Sequence, residues 1–357
     1  MSGSTEIVIG LDTASRICEA CVTGSDGNII ESVNFVTSAM KLISVVSRFP
    51  DAVVVLEESS MAQWAYETLS GRVKDVFVCD PKHNKWISSG MKSDRVDAHK
   101  LTVLYRVNSL HRVYHSLDAS RVEFKRTIQH REWLVKDMTR LKNEIKARFR
   151  QYGIVVAGRR SPFESPAREE WLKQLPAPAQ LRVRQSFDRL EMLGLQAEEA
   201  TKKVFELGRA FPEIARLVKV PGVGMIGACT FSGYVQTPHR FGDEHLLFSY
   251  ASLKVITKTS AGKTLAWPRL SQSGVKPLKN MTRHAFLGAL RTNRGDNPLA
   301  EYYRRHLKTC KSAHGARLST QRKILSIMLH IWKTGEEYNS NRVLTGCSVN
   351  VETREPV

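Results

Sequence analysis

The first eighty residues carry five short apolar runs rich in β-branched side chains, and two helical stretches interrupt them in a set order. The runs are EIVIGL at 6–11, ICEACVTG at 17–24, IIESVNFV at 29–36, AVVVLEE at 52–58 and DVFVCD at 75–80. Asp26-Gly27 lies between the second and third, and such a pair accepts the positive φ that a tight hairpin turn demands. SAMKLISVVSRF precedes the fourth run and MAQWAYETLSGRV the fifth, both with apolar residues at helical spacing. Another helix is expected to start near Lys92. The order β-β-β-α-β-α-β-α predicts a mixed sheet with helices on its faces, because parallel neighbours need a helical crossover while antiparallel ones need only a turn.

Beyond residue 115 the pattern turns helical. Val122, Phe124, Ile128, Leu134, Met138, Leu141, Ile145 and Phe149 recur at three- and four-residue steps. Prolines at 162, 166, 176 and 178 then predict a break over 161–180, and a second helical tract follows over 181–210. Two long helices around a break form an antiparallel pair. Periodicity alone leaves open whether this is a coiled-coil arm used in assembly or a compact helical subdomain. The third part opens near Val220-Pro-Gly-Val-Gly224, similar to the turn of a helix-hairpin-helix. There Gly222 and Gly224 would let backbone N–H groups approach a nucleic-acid phosphate. The expected division is 1–114 for the sheet domain, 115–215 for the helical arm, 216–342 for a mainly α-helical domain and 343–357 for a tail.

The 357 residues hold 54 Lys and Arg against 35 Asp and Glu, a formal charge of +19. Such an excess calls for a polyanionic partner, and nucleic acid is the commonest. No run approaches 18 apolar residues, so no membrane partner is expected. The start, MSGSTEIVIG, lacks the features of a secretory signal. The six cysteines include Cys18 and Cys21, but this C-x-x-C lies on a strand, where positions three apart face opposite ways. A reducing, cytoplasmic and nucleoid-associated protein is the expectation. Between 82 and 150 there are 17 Lys and Arg against 7 Asp and Glu, interleaved with Trp86, His99, Tyr105, His111, Tyr114, His115 and His130. Stacking groups among cations suit structured or single-stranded nucleic acid. Arg304 and Arg305 belong to a second basic segment, and no base-reading motif accompanies either.

Four carboxylates stand out. Asp12 ends the first strand and Glu57 the fourth, while Asp94 and Asp97 open the helix in MKSDRVDAHKL. Carboxylates at strand ends converge on one edge of a sheet, and residues three apart share a helix face. Like charges so placed need a counter-charge, which divalent cations supply. Bland roles compete at each position. Asp12 could be a turn residue, Asp94 a helix cap, and Asp97 a partner of Arg95 or Lys100, while Glu58 rivals Glu57.

These segments together resemble a known family, the DEDD transposases of insertion sequences, which include the RNA-guided bridge recombinases. The resemblance is carried by VIGLDTAS at 8–15, VVLEESS at 54–60, KSDRVDAHKL at 92–101, VPGVGMIGA at 220–228, RFGDEHLLFSYASL at 240–253 and SAGKTLAWPRLSQSG at 260–274. It implies a ribonuclease-H-like (RuvC-like) α/β domain, a coiled-coil arm and a C-terminal transposase domain with a nucleophilic serine. Carried over by position, Asp12, Glu57, Asp94 and Asp97 would hold Mg²⁺, with Mn²⁺ a substitute, and Ser260 would be the nucleophile. The implied partners are donor and target DNA, a non-coding guide (bridge) RNA, and further copies of the chain, a dimer assembling to a tetramer. The chain departs from the family pattern in reading Y-A-S-L at 250–253 for Y/F-A-G-L, Ser260-Ala261-Gly262 for Ser-Gly, SQSGV near 271 for S-K-x-G-N, and Glu57-Glu-Ser-Ser for E-A-T-G.

Ser271 and Ser273 compete with Ser260 for the nucleophile's place. A phosphate-loop reading of SAGKT fails, because G-x-x-x-x-G-K-[ST] needs glycine where Thr257 stands. Lys258 and Lys263 are expected to hold a DNA phosphate beside Ser260, and Lys92 and Arg95 are expected to contact nucleic acid. Two other functions fit the same residues. A RuvC-like endonuclease of the junction-resolvase type would use the acids and water, and a catalytically silent nucleic-acid-binding protein would use neither.

Overall fold

The computed structural model describes residues 6–81, 94–156, 161–163, 167–257, 259–260, 263–264, 268–310 and 312–345. The chain forms two compact units, Met1–Leu117 and Asp118–Val357.

The first unit contains β1 (Val8–Asp12), β2 (Ile17–Thr23), β3 (Ile29–Val36), α1 (Ala39–Val46), β4 (Val53–Glu57), α2 (Ala62–Leu69), β5 (Asp75–Cys79) and α3 (Asp94–Arg106). The expected mixed sheet is present, in the order β3-β2-β1-β4-β5. β1–β2 and β2–β3 run antiparallel, and β1–β4 and β4–β5 parallel. At the β2–β3 turn Gly27 has φ +83°, and the Asp26 carboxylate accepts the Asn28 N–H at 3.0 Å. One face of the sheet, through Ile9, Leu11, Val54 and Leu56, packs on Leu42 of α1 and Ala65 and Leu69 of α2. The other face, through Val8, Val53, Val55 and Cys79, packs on Leu101 of α3. The central strands are therefore buried on both sides, which is why they read as unbroken apolar runs. Cys18 and Cys21 are both buried.

The second unit begins with α4 (Ala119–Arg150), whose first turn is capped by the Asp118 carboxylate. Its buried positions include seven of the eight predicted, with Met138 half-buried. The Pro-rich break is shorter than the sequence implies. It holds α5 (Arg168–Leu172), and α6 (Ala177–Gly208) starts well before 181. Pro176 is the N-cap of α6 and Pro178 lies in its first turn, where a fixed φ and a missing N–H do no harm. Leu141, Ile145 and Phe149 pack on Val183, Phe187 and Leu190, and Leu134 packs on Ala197 and Ala200, so α4 and α6 are antiparallel.

The rest comprises α7 (Pro212–Leu217), α8 (Met225–Val235), α9 (Glu244–Tyr250), four two-residue strands, α10 (Lys276–Arg291), α11 (Pro298–Thr309), α12 (Ala313–Thr334) and α13 (Asn341–Thr345). Phe124 and Ile128 of α4 and Val204 of α6 are part of the same core as α7–α12. A buried ion pair reinforces that junction. Arg121 Nη1 donates to Glu213 Oε1 at 2.8 Å, Ser232 Oγ donates to the same oxygen at 2.6 Å, and the guanidinium lies over the Phe211 ring. Among the described residues no helix is long and apolar enough to cross a membrane.

Candidate active site

The parallel pairing of β1 with β4 sets Leu11 against Leu56, so Asp12 and Glu57 follow side by side at the ends of adjacent strands. Side chains alternate along a strand, so Asp12 shares a face with Val8 and Gly10, and Glu57 with Val53 and Val55. That is the face covered by α3. Glu58 therefore points to the opposite face, which resolves its rivalry with Glu57 for a place beside Asp12.

The direction of α3 follows from two contacts. A Cβ built on Gly10 would lie 1.9 Å from the Ala98 carbonyl oxygen and 3.0 Å from Thr102 Cγ2, so only glycine lets the helix lie this close to β1. At the far end, Arg106 Nη2 donates to the backbone oxygens of Glu6 at 3.0 Å and Gly24 at 2.6 Å, next to the start of β1. The helix consequently runs antiparallel to β1 and brings its first turn to the end of the strand, where Asp12 stands. Asp94 is four residues before Ala98, on the same helical stripe. Asp97 is partly exposed, and its carboxylate accepts from Lys100 Nζ at 3.1 Å, the pairing the sequence also allows. The side chains of Asp94 and Arg95, and Lys92 as a whole, lie outside the described residues. Among the described residues no three His, Cys, Asp or Glu side chains form a metal-ligating group. The first turn of α3, which carries Asp94 and Asp97, thus comes to the strand-end edge where Asp12 and Glu57 stand.

On the opposite face, Glu58 Oε2 is 2.6 Å from His115 Nε2, and His115 Nδ1 is 2.7 Å from Gln63 Oε1. Gln63 Nε2 donates to Ser116 O and to Glu67 Oε1, each at 2.9 Å, which orients its amide. His115 is one of the imidazole groups interleaved with the basic residues of 82–150. Its side chain is 6% exposed and held at both nitrogens, so it is a structural residue that fastens Glu58. Tyr105, of the same interleaved set, packs edge-on against Phe77 beside the α3-facing core.

In the second unit the serine block forms a narrow ribbon. Strands β6 (Val255–Ile256) and β9 (Arg269–Leu270) pair antiparallel, as do β7 (Thr259–Ser260) and β8 (Lys263–Thr264). Ser260 and Lys263 are register partners, so only residues 261 and 262 separate the two strands, the spacing of a two-residue hairpin. Ser260 is the last paired residue before that connection. Lys258 lies outside the described residues, as do the side chains of Ser260 and Lys263.

The base of the ribbon accounts for one family departure. Ser252 has φ +57°, a conformation that favours glycine, the family's residue there. Its hydroxyl donates to Ser273 O at 2.7 Å, an interaction glycine could not make. Ser271 Oγ and Ser273 Oγ hold each other at 2.6 Å, and Arg322 donates twice to Leu253 O, at 3.1 and 2.6 Å. The rival serines are thus engaged where the ribbon joins the core.

The V-P-G-V-G turn joins α7 to α8. Gly222 has φ +82°, and a Cβ there would lie 2.1 Å from Ala285 O and 2.3 Å from Ala289 N of α10. A Cβ on Gly288 would in turn lie 2.8 Å from Gly222 O. Close packing on α10 is therefore what the structure requires of Gly222. Gly224, the N-cap of α8, has open space around it. On α11, Arg304 and Arg305 both bind Glu301, at 3.2 and 2.9 Å, and those bonds, Arg305 foremost, hold its carboxyl below the usual range.

Residues 9–154 match the transposase family whose model carries the DEDD and IS110 designations, and residues 214–304 match the transposase family of IS116, IS110 and IS902. The two matches fall in order and cover roughly two thirds of the chain. The chain belongs to the DEDD transposases of the IS110 family. It is also similar to the transposase for insertion sequence element IS1111A of Coxiella burnetii, with 24% identity over 299 residues, 80% of this chain and 78% of that protein. As a DEDD transposase it is a DNA recombination enzyme of an insertion sequence, and the carboxylate edge lies inside the first match.

Proposed function

We propose that this transposase cuts and rejoins DNA strands through Ser260, forming a covalent phosphoserine intermediate, with Mg²⁺ or Mn²⁺ at Asp12, Glu57, Asp94 and Asp97. The observation that carries the reading is the placement of Asp12 and Glu57 on one face and one edge of the sheet, at the end reached by the first turn of α3. An all-carboxylate set of hard oxygen donors fits such cations. When bound, a divalent cation there would neutralise charge at a phosphodiester and lower the barrier to displacement. The serine supplies the covalent step. Its Oγ–P bond forms as a P–O bond of the strand breaks, and the leaving strand end takes up a proton to match the one the serine releases. A strand hydroxyl reverses the step on a new partner, so the bond energy is kept and no nucleotide triphosphate is needed.

Guidance by a non-coding RNA is part of the same proposal. It is supported by a chain with formal charge +19 and no base-reading motif. The basic residues Lys92, Arg95, Lys258, Lys263, Arg304 and Arg305 are its candidate phosphate contacts, and a dimer assembling to a tetramer its candidate working form.

The test is a denaturing gel of full-length protein incubated with labelled element-end DNA, Mg²⁺ and the RNA transcribed beside the reading frame. A protein–DNA adduct is expected, absent in Ser260→Ala and Asp12→Ala and dependent on the RNA. Cleavage without an adduct, unchanged in Ser260→Ala, would instead identify a hydrolytic nuclease.

A further inference from the structure

The second unit contains a groove of about 530 Å³ between α4, the start of α8 and the start of α10. Its walls are mostly apolar, with Val135, Val223, Ile226, Pro277 and Met281 beside Thr230 and Asn280. Its rim is basic, with Arg131, Lys136, Lys276 and His284. Among the described residues lining it the one acid is Glu132, whose Oε2 accepts the Tyr234 hydroxyl at 2.6 Å, and burial raises the pKa of its carboxyl. The volume falls in the range of small-ligand pockets, about 300–1,000 Å³. An occupant must therefore be small, flat or apolar in its body, and anionic at its outer end.

A nucleotide has that construction, with a planar base for dry walls and a phosphate for a cationic rim. A base inside a duplex cannot enter such a space, because it is stacked and paired. Strand exchange provides the occasion, since a strand must leave one partner before it pairs with another. We propose that this groove receives a single nucleotide of the DNA strand turned out of its stack, with the base between Val135, Ile226 and Met281 and the phosphate on Lys136 and Lys276. The proposal rests on the chain acting on DNA, and it does not require Ser260 to be the nucleophile.

The experiment uses the full chain and a single-stranded oligodeoxynucleotide carrying one 2-aminopurine, followed by fluorescence titration. A saturable change in 2-aminopurine emission is expected. Asn280 is an exposed residue of the groove wall, so Asn280→Trp fills the space without disturbing the core. That variant, and Lys136→Glu combined with Lys276→Glu, should each weaken the signal-bearing complex by roughly tenfold, the size expected for one lost stacking or phosphate contact. Matching thermal unfolding curves confirm that both variants fold. Wild-type affinity and signal in both variants would overturn the proposal. So would an oligoribonucleotide of the same sequence that binds through these residues while the DNA does not. Adduct formation at Ser260 is read in parallel on the labelled strand. An adduct with no emission change rejects the groove, whereas an emission change lost in the groove variants upholds it even if no adduct forms.

Discussion

Gly10 of β1 and Ala98 of α3 meet backbone to backbone, with room for nothing larger than hydrogen between them. A methyl on Gly10 would stand 1.9 Å from the Ala98 carbonyl oxygen, and a helix backbone cannot rotate away as a side chain can. Gly10→Ala should therefore push α3 off the sheet and cost at least the ~1–3 kcal/mol of an overpacked core. Urea denaturation measures this. Because the displaced helix carries Asp94 and Asp97, strand cleavage should fall further than stability does. Wild-type stability in this variant would mean that α3 does not lie on β1 as described.

The alternation along β4 turns two neighbouring acids to opposite faces, and their variants should differ accordingly. Glu57→Gln should reduce divalent-cation-dependent strand cleavage by at least about 100-fold, the scale of losing one carboxylate from a catalytic metal site. Glu58→Gln keeps the fold and leaves Glu57 on the α3 face, so its cleavage should stay within a few-fold of wild type. Comparable losses in the two variants would remove the face argument.

Much of this fold was legible in the sequence, and what was not had physical causes. The succession of strands and helices along the chain and the buried positions of α4 followed from periodicity, because burial on both faces and on one stripe leaves different patterns. Glu57 could not be told from Glu58, since alternation says that the two point oppositely but not which face α3 covers. Gly10 was a missed signal: an isolated glycine within a strand marks a close backbone approach. His115 left no such trace, as its partners Glu58 and Gln63 lie more than fifty residues away. Pro176 and Pro178 resemble breakers in the sequence, although the first turn of a helix is where proline is tolerated.

Ser252 combines a backbone cost with a side-chain gain, and substitution should separate them. A non-glycine residue at positive φ costs of order 1–3 kcal/mol, and the bond to Ser273 O returns roughly 0.5–1.5 kcal/mol. Ser252→Ala keeps the strain and loses the bond, so it should be about 1 kcal/mol less stable than wild type. Ser252→Gly loses both and should be the more stable of the two variants. Midpoints in guanidinium order the three proteins, and an alanine variant as stable as the glycine one would contradict the account.

Arg121 and Glu213 form an ion pair whose carboxylate is almost wholly buried, its side chain only 2% exposed. Arg121→Ala would leave that charge without its partner, at a cost of about 3–5 kcal/mol. Replacing both, as Arg121→Met with Glu213→Gln, removes the stranded charge, so the double variant should be more stable than Arg121→Ala alone. Additive losses in a double-mutant cycle would show that the pair does not act as a unit.

Glu132 gives the second unit a pH dependence of definite sign. Burial is the largest influence on it and raises its pKa above the ordinary 4.5, while the Tyr234 hydroxyl, Lys136 and Arg131 pull the other way. The folded chain therefore holds this proton more tightly than the unfolded one. The stabilisation is complete below pH 4.5 and is lost as pH rises through the raised value. Tyr234 does not titrate in that window, because burial and its bond to Glu132 raise its own pKa. Glu132→Gln keeps an acceptor for the Tyr234 hydroxyl and removes the titration. Going from pH 4 to neutrality, wild type should thus lose stability relative to the variant. Urea midpoints for the two proteins across that range measure the difference, and parallel curves would show that Glu132 carries no proton linkage.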